Sequence, residues 1–472
     1  MFDPVIAPSG TLLGLLQRGR GDGTLHALTA PRAEALAALD HCVLRDPRHD
    51  WQVENRSLYY ARLFLDLGGG LEAIEAHLFD PEDVLDPDES RTGLALAVLG
   101  HLASYGRRDA LALLRRYAAS GTNWAWALDE LALRDDDAGL RSLAAPVLAR
   151  FPTDAEGEAE LATAVRDAFE PRPWRLWAED PRPAIAARVR TAQEAGCFDR
   201  WQRQMRPSGP RPGWSVQAVF EWAQQGFERG AALHVPAARC LTAVAGPEDR
   251  PEILRAAREG TDGARCTALR YLADGNDTEA LDLIEAAVGD GSAVVAEAAV
   301  DAFERMRSFA AVDRARRWAH RPDALGTAAG RVLACRGGTK DRDLVLAALR
   351  EAVRGEGPDA ETLWTLVDGA GRLGITCAAP VLRHVYRETA SSHLRGRAAR
   401  ALAATDPSFA TGFAVECLWD CEETTRELAA RHAETGDTRV VERLRRLAAD
   451  PAEEAEVQTA VRSRIGPDLP AV

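Results

Sequence analysis

The chain has 472 residues, is 46% hydrophobic but only 6% aromatic, and carries a formal net charge of −14 with a pI near 5.3. This apolar content excludes wholesale disorder. The acidic balance disfavours general binding to nucleic acid or anionic membranes. The length exceeds one ordinary core, and fits either roughly two to four units or one repeat array buried unit by unit.

The N-terminus, Met1-Phe2-Asp3-Pro4, lacks the charged-then-apolar layout of a secretory signal. No uninterrupted apolar run nears the roughly 20 residues that span a bilayer, so a cytoplasmic, membrane-free protein is expected. Cysteines 42, 197, 240, 266, 335, 377, 417 and 421 are scattered, unlike a secreted disulfide framework. His41 and Cys42 are neighbours on a presumed helix, pointing about 100° apart. Trp51 follows the polar stretch 45–50 and reads as a loop anchor.

Helical spacing is predicted over 56–67, 91–104, 107–119, 122–133 and 138–150, with Gly68-Gly69-Gly70 as a helix stop. The acidic runs 80–89 and Asp135-Asp136-Asp137 lack the glycine and terminal glutamate of a calcium loop, and read as helix starts and loops. Trp124 and Trp126 lie two apart and so point to nearly opposite sides of a helix. Core or loop packing is the leading role for both. At least one of them is expected at a helix start or in a solvent-facing groove, and both stand as tentative binding residues.

From about 170 to 235 the pattern breaks. This segment holds Pro171, Pro173, Pro181, Pro183, Pro207, Pro210 and Pro212, five tryptophans, and ten arginines against seven acids. Proline cannot continue a helix interior, so 206–213 reads as a loop. Tryptophan and arginine are the side chains most enriched in binding hot spots. The candidate site is therefore Trp174, Arg175, Trp177, Trp201, Arg203, Arg206, Trp214 and Trp222. The competing reading is that these indoles plug an imperfect junction, and Trp174 and Trp177, three apart, suit one buried helix face.

Beyond 235, alanine-rich stretches recur at 264–273, 296–305, 328–334, 397–404 and 425–433. In one, Val295, Ala298, Ala299, Ala302, Phe303 and Met306 form a single stripe, the signature of an amphipathic helix. Leu281, Ile284 and Val288 begin a set of partner helices, followed by Val345, Ala348 and Leu349, then Val440, Leu444 and Leu447. Joints such as Gly275-Asn276-Asp277-Thr278, Gly337-Gly338-Thr339 and Gly436-Asp437-Thr438 predict a glycine in a left-handed turn and an Asp or Thr cap. Cys417 and Cys421, four apart, could share a helix face, but a zinc site needs four ligands and no second pair has ligand spacing. Lys340 is the only lysine, which reads as the codon bias of a GC-rich genome.

Helix, tight turn, helix at a period of roughly 30 residues is a solenoid pattern. These alanine-rich pairs resemble HEAT repeats, especially the short kind also found in phycobilin-lyase-type proteins. The resemblance is good over the C-terminal half and weaker over about 54–170. It implies an all-α, right-handed α-solenoid of helical hairpins, interrupted by the irregular middle. The expected division is an N-terminal array at 1–169, a junction at 170–235 and a C-terminal array at 236–472. Proteins of this class mostly bind other proteins, some bind nucleic acid, and a minority are enzymes. No nucleophile elbow, phosphate loop, H-E-x-x-H or dinucleotide fingerprint occurs. The expectation is a non-enzymatic, protein-binding scaffold without cofactor or metal. The alternative is a nucleic-acid binder or a glycosylase-like enzyme, for which Arg175, Trp177 and Asp180 supply the residue types.

Overall fold

In the computed structural model the described residues are 6–48, 51–81, 88–204, 213–289 and 291–465, excepting the side chains of 89 and 196–204. Among the described residues there are 28 α-helices and no strand. None of these helices is long and apolar enough to cross a membrane.

The helices fall where hydrophobic spacing puts them. Ser57–Asp66, Glu89–Ser104, Arg108–Ser120, Trp124–Arg134 and Asp137–Leu148 match the five predicted in the N-terminal part. Val295, Ala298, Ala299, Ala302, Phe303 and Met306 are all buried. Each such apolar side chain removed from water contributes roughly 1–3 kcal/mol, with alanine at the low end. Short polar side chains then stop the fraying of helix starts. Asp136 accepts from Gly139 N at 2.7 Å, Asp154 from Gly157 N at 2.8 Å and Asp437 from Arg439 N at 2.8 Å.

No glycine of the three expected joints is left-handed: Gly337 has φ −65°, Gly338 has φ −111°, and Gly436 is not among the residues of positive φ. Gly275 has φ −75°, and the left-handed residue is Asn276 at φ 55°. Asparagine tolerates this region better than most non-glycine residues, and its Oδ1 here accepts from the Arg307 N–H of a later turn. The helix Phe413–Cys417 also ends before Cys421, so the two cysteines do not share a helical face.

Contacts divide the chain into two compact units: Met1–Arg206 with Arg387–Ala399 and Pro407–Val472, and Pro207–Tyr386 with Arg400–Asp406. In the first, charged side chains fasten the C-terminal segment to the N-terminal helices. Arg20 pairs with Glu416 at 2.8 Å, and Arg62 with Asp450 at 2.8 Å and Glu453 at 3.0 Å. The expected grouping of 236–472 as one array is therefore not how the contacts partition.

In the second unit, Asp262–Asp274 packs on Ala293–Arg305, that helix on Ala324–Arg336, and that one on Leu363–Arg372. Each also packs on the helix before it in sequence: Arg250–Glu259, Ala280–Val288, Phe309–Trp318 and Arg342–Glu356. The starts at 262, 293 and 324 are 31 residues apart.

Candidate functional site

The second unit begins with the helix Val216–Glu228, capped by Ser215, whose hydroxyl accepts from Ala218 N at 3.2 Å. Its apolar stripe, Val216, Val219, Phe220 and Ala223, is buried against the helices that follow. The approach to Asp262–Asp274 is so close that a Cβ on Gly263 would lie 2.7 Å from the Ala223 carbonyl oxygen. Gln224 secures this crossing: its Oε1 accepts from Gly263 N at 3.0 Å, and its Nε2 donates to Glu228 at 3.2 Å.

The opposite face of this helix is open. Gln217, Glu221 and Gln225 are exposed and face the helix Arg250–Glu259, which turns Ile253, Leu254 and Ala257 inward. Glu252, Arg255, Ala256 and Glu259 form the far wall, and Phe220 and Ala264 reach the floor. The result is an open groove of about 620 Å³. Three glutamates line it against one arginine, and none of the three forms an ion pair among the described residues.

The next gaps along this unit are bridged. Arg250 reaches Asp277 and Glu279, both at 2.9 Å. Arg314 pairs with Asp282 at 2.6 Å and Glu285 at 3.2 Å, and Arg316 with Asp341 at 2.8 Å.

A second cavity of about 350 Å³ lies beside the same helix, lined by Ala223, Phe227, Leu233, His234, Cys266 and Val294 among others. Burial, with Arg270 nearby, lowers the His234 imidazole from its ordinary value. Burial, with Asp262 nearby, pushes the Cys266 thiol up to about 11. Both shifts favour the uncharged forms, imidazole and thiol.

The sequence-predicted residues separate. Trp174 and Trp177, 3% and 0% exposed, are core side chains of the first unit and present no surface to a partner. Their rings meet edge to face at 4.9 Å, and Trp177 Nε1 donates to the Leu140 carbonyl at 2.8 Å. Trp124, the first residue of its helix, packs half-buried against Phe151 and Trp174, and half-buried Trp126 packs against buried Trp51. These four candidates therefore follow the packing reading. Arg175 is exposed. Asp180 is buried and bonded to Arg182 at 2.7 Å. Trp214 and Trp222 form a half-buried pair in the second unit, ring centroids 5.2 Å apart. Arg206 and the side chains of Trp201 and Arg203 lie outside the described residues.

Sequence reasoning missed the groove residues Gln217, Glu221, Gln225, Glu252 and Glu259. Their only local signal is the polar side of two amphipathic helices, which every surface helix carries.

No family model matches the chain, and no curated protein matches its sequence.

Proposed function

We propose that the chain is a right-handed α-solenoid of HEAT-like hairpins that serves as a protein-binding scaffold. The solenoid reading rests on three helix pairs at 31-residue intervals, the second helix of each packed on the second helix of the next pair. The binding reading rests chiefly on the groove between Val216–Glu228 and Arg250–Glu259, where two helix faces stay uncovered. Such concave, mixed polar and apolar clefts are where proteins hold partners. The half-buried Trp214–Trp222 pair on the same helix extends the candidate surface. A net charge of −14 and a glutamate-lined groove favour a protein ligand over nucleic acid.

Affinity enrichment from the native cell extract tests this reading. The bait is the intact chain, compared with a variant whose groove is filled by Gln217→Trp and Gln225→Trp. A protein enriched by the wild type and lost on filling supports the scaffold. Equal enrichment by both chains contradicts it. DNA binding that steepens as salt falls would favour the nucleic-acid alternative.

A further inference from the structure

We propose that the groove between Val216–Glu228 and Arg250–Glu259 receives an arginine side chain from an extended segment of a protein partner. This rests on the scaffold reading above and names the chemistry of its ligand.

The second unit uses one device repeatedly. A guanidinium crosses from one helical pair to carboxylates on the next, as Arg250, Arg314 and Arg316 do. At the first gap the carboxylates are present and the clamp is not. Glu221 projects from one wall and Glu252 and Glu259 from the other, with no ion pair to any of them among the described residues. Arg255 is the one cation of the lining, so the lining carries a formal surplus of two negative charges. Nor do the walls close on each other, which leaves about 620 Å³ open.

The lining suits arginine from stem to head. Phe220, Ala256 and Ala264 offer apolar surface to the methylene stem. Carboxylates on both walls suit a guanidinium, whose five donors lie in one plane and point to more than one side, where a lysine ammonium offers three from a single nitrogen. Gln217 and Gln225 stand exposed on the rim. The Gln217 Nε2 donates to Glu221 Oε1 at 3.1 Å, which leaves one of its two N–H groups and its Oε1, with the Gln225 amide, to meet a peptide backbone.

Selection of random displayed peptides on the full-length chain tests this. The parallel target is the variant Glu221→Gln, Glu252→Gln, Glu259→Gln, whose exposed or half-buried substitutions leave the core intact and whose folding is checked by its thermal melt. Selected peptides are expected to be enriched in arginine on the wild type, and the enrichment to vanish on the triple variant. Replacing the selected arginine by neutral, isosteric citrulline should weaken binding about tenfold or more, the loss expected for a charge-assisted pair. No selection, selection without arginine, enrichment that persists on the triple variant, or equal binding of the citrulline peptide each overturns the proposal. Any of those results leaves the scaffold reading standing if groove filling still releases the native partner, so the two failures are distinguishable.

Discussion

Arg395 and Asp420 are both fully buried in the first unit and joined by two hydrogen bonds, at 2.7 and 3.0 Å. Two charges out of water are tolerable only as a well-made pair, and removing one partner costs about 3–5 kcal/mol because the other stays buried. Arg395→Ala should lower stability by that amount in urea denaturation, and Arg395→Leu with Asp420→Leu should recover much of the loss. Elsewhere, too, arginine does work lysine could not. Arg372 donates to the Ala334 and Gly337 carbonyls at 2.8 and 2.9 Å, and Arg188 to those of Leu148 and Phe151 at 2.9 and 2.7 Å. Composition alone makes the scarcity of lysine look like codon usage. The clamps give it a structural consequence, since a planar fork holds two carbonyls at once.

Glu54 supplies a second residue-scale prediction. Burial would raise its carboxyl. Hydrogen bonds from the Ser391 hydroxyl and from Ser392 N at 2.7 Å, with the Arg56 guanidinium at 3.1 Å, instead bring it down to about 2. A carboxyl depressed in the folded state stabilises the protein above its unfolded pKa of about 4.5, and that stabilisation is lost as pH falls towards 2. The contribution at neutral pH is on the order of 3 kcal/mol. Glu54→Gln should therefore lower the melting temperature clearly at pH 7, less than half as much at pH 3, and little near pH 2. An equal loss at all three would contradict the assignment.

At the scale of the element, helix approach is set by small residues. A Cβ on Gly369 would lie 2.4 Å from the Ala334 side chain and 2.8 Å from the Ala334 carbonyl oxygen. Backbone cannot yield as a flexible side chain does, so Gly369→Ala should cost about 1–3 kcal/mol through overpacking, despite alanine's better helix propensity. Denaturation midpoints would show the sign directly. The helices themselves were legible in sequence, because an apolar stripe such as Val295 to Met306 is a local pattern. The turns were half legible: the breakers are there, but whether Gly275 or Asn276 takes the left-handed conformation depends on the partner that Arg307 supplies. The groove was not legible, since Glu221 and Glu252 meet only through the packing of two helices on a third.

For the whole molecule, the same lesson applies over longer distances. Pairs such as Arg20 with Glu416 and Arg62 with Glu453 leave no local trace in sequence, so the grouping of the C-terminal segment with the N-terminal helices could be read only from contacts. The tryptophan-rich middle was conspicuous in composition. Yet Trp174 and Trp177 are buried, and the pair that retains surface is Trp214 and Trp222. The function proposed for the chain thus depends on the groove between Val216–Glu228 and Arg250–Glu259. Site-specific photo-crosslinking tests that dependence most directly. A photoreactive residue at Gln225 on the groove rim is compared with one at Phe309, which is 90% exposed and outside the groove. A covalent adduct with one protein of the native extract is expected from position 225 and none from 309. Adducts of equal yield at both positions, or at neither, would contradict it.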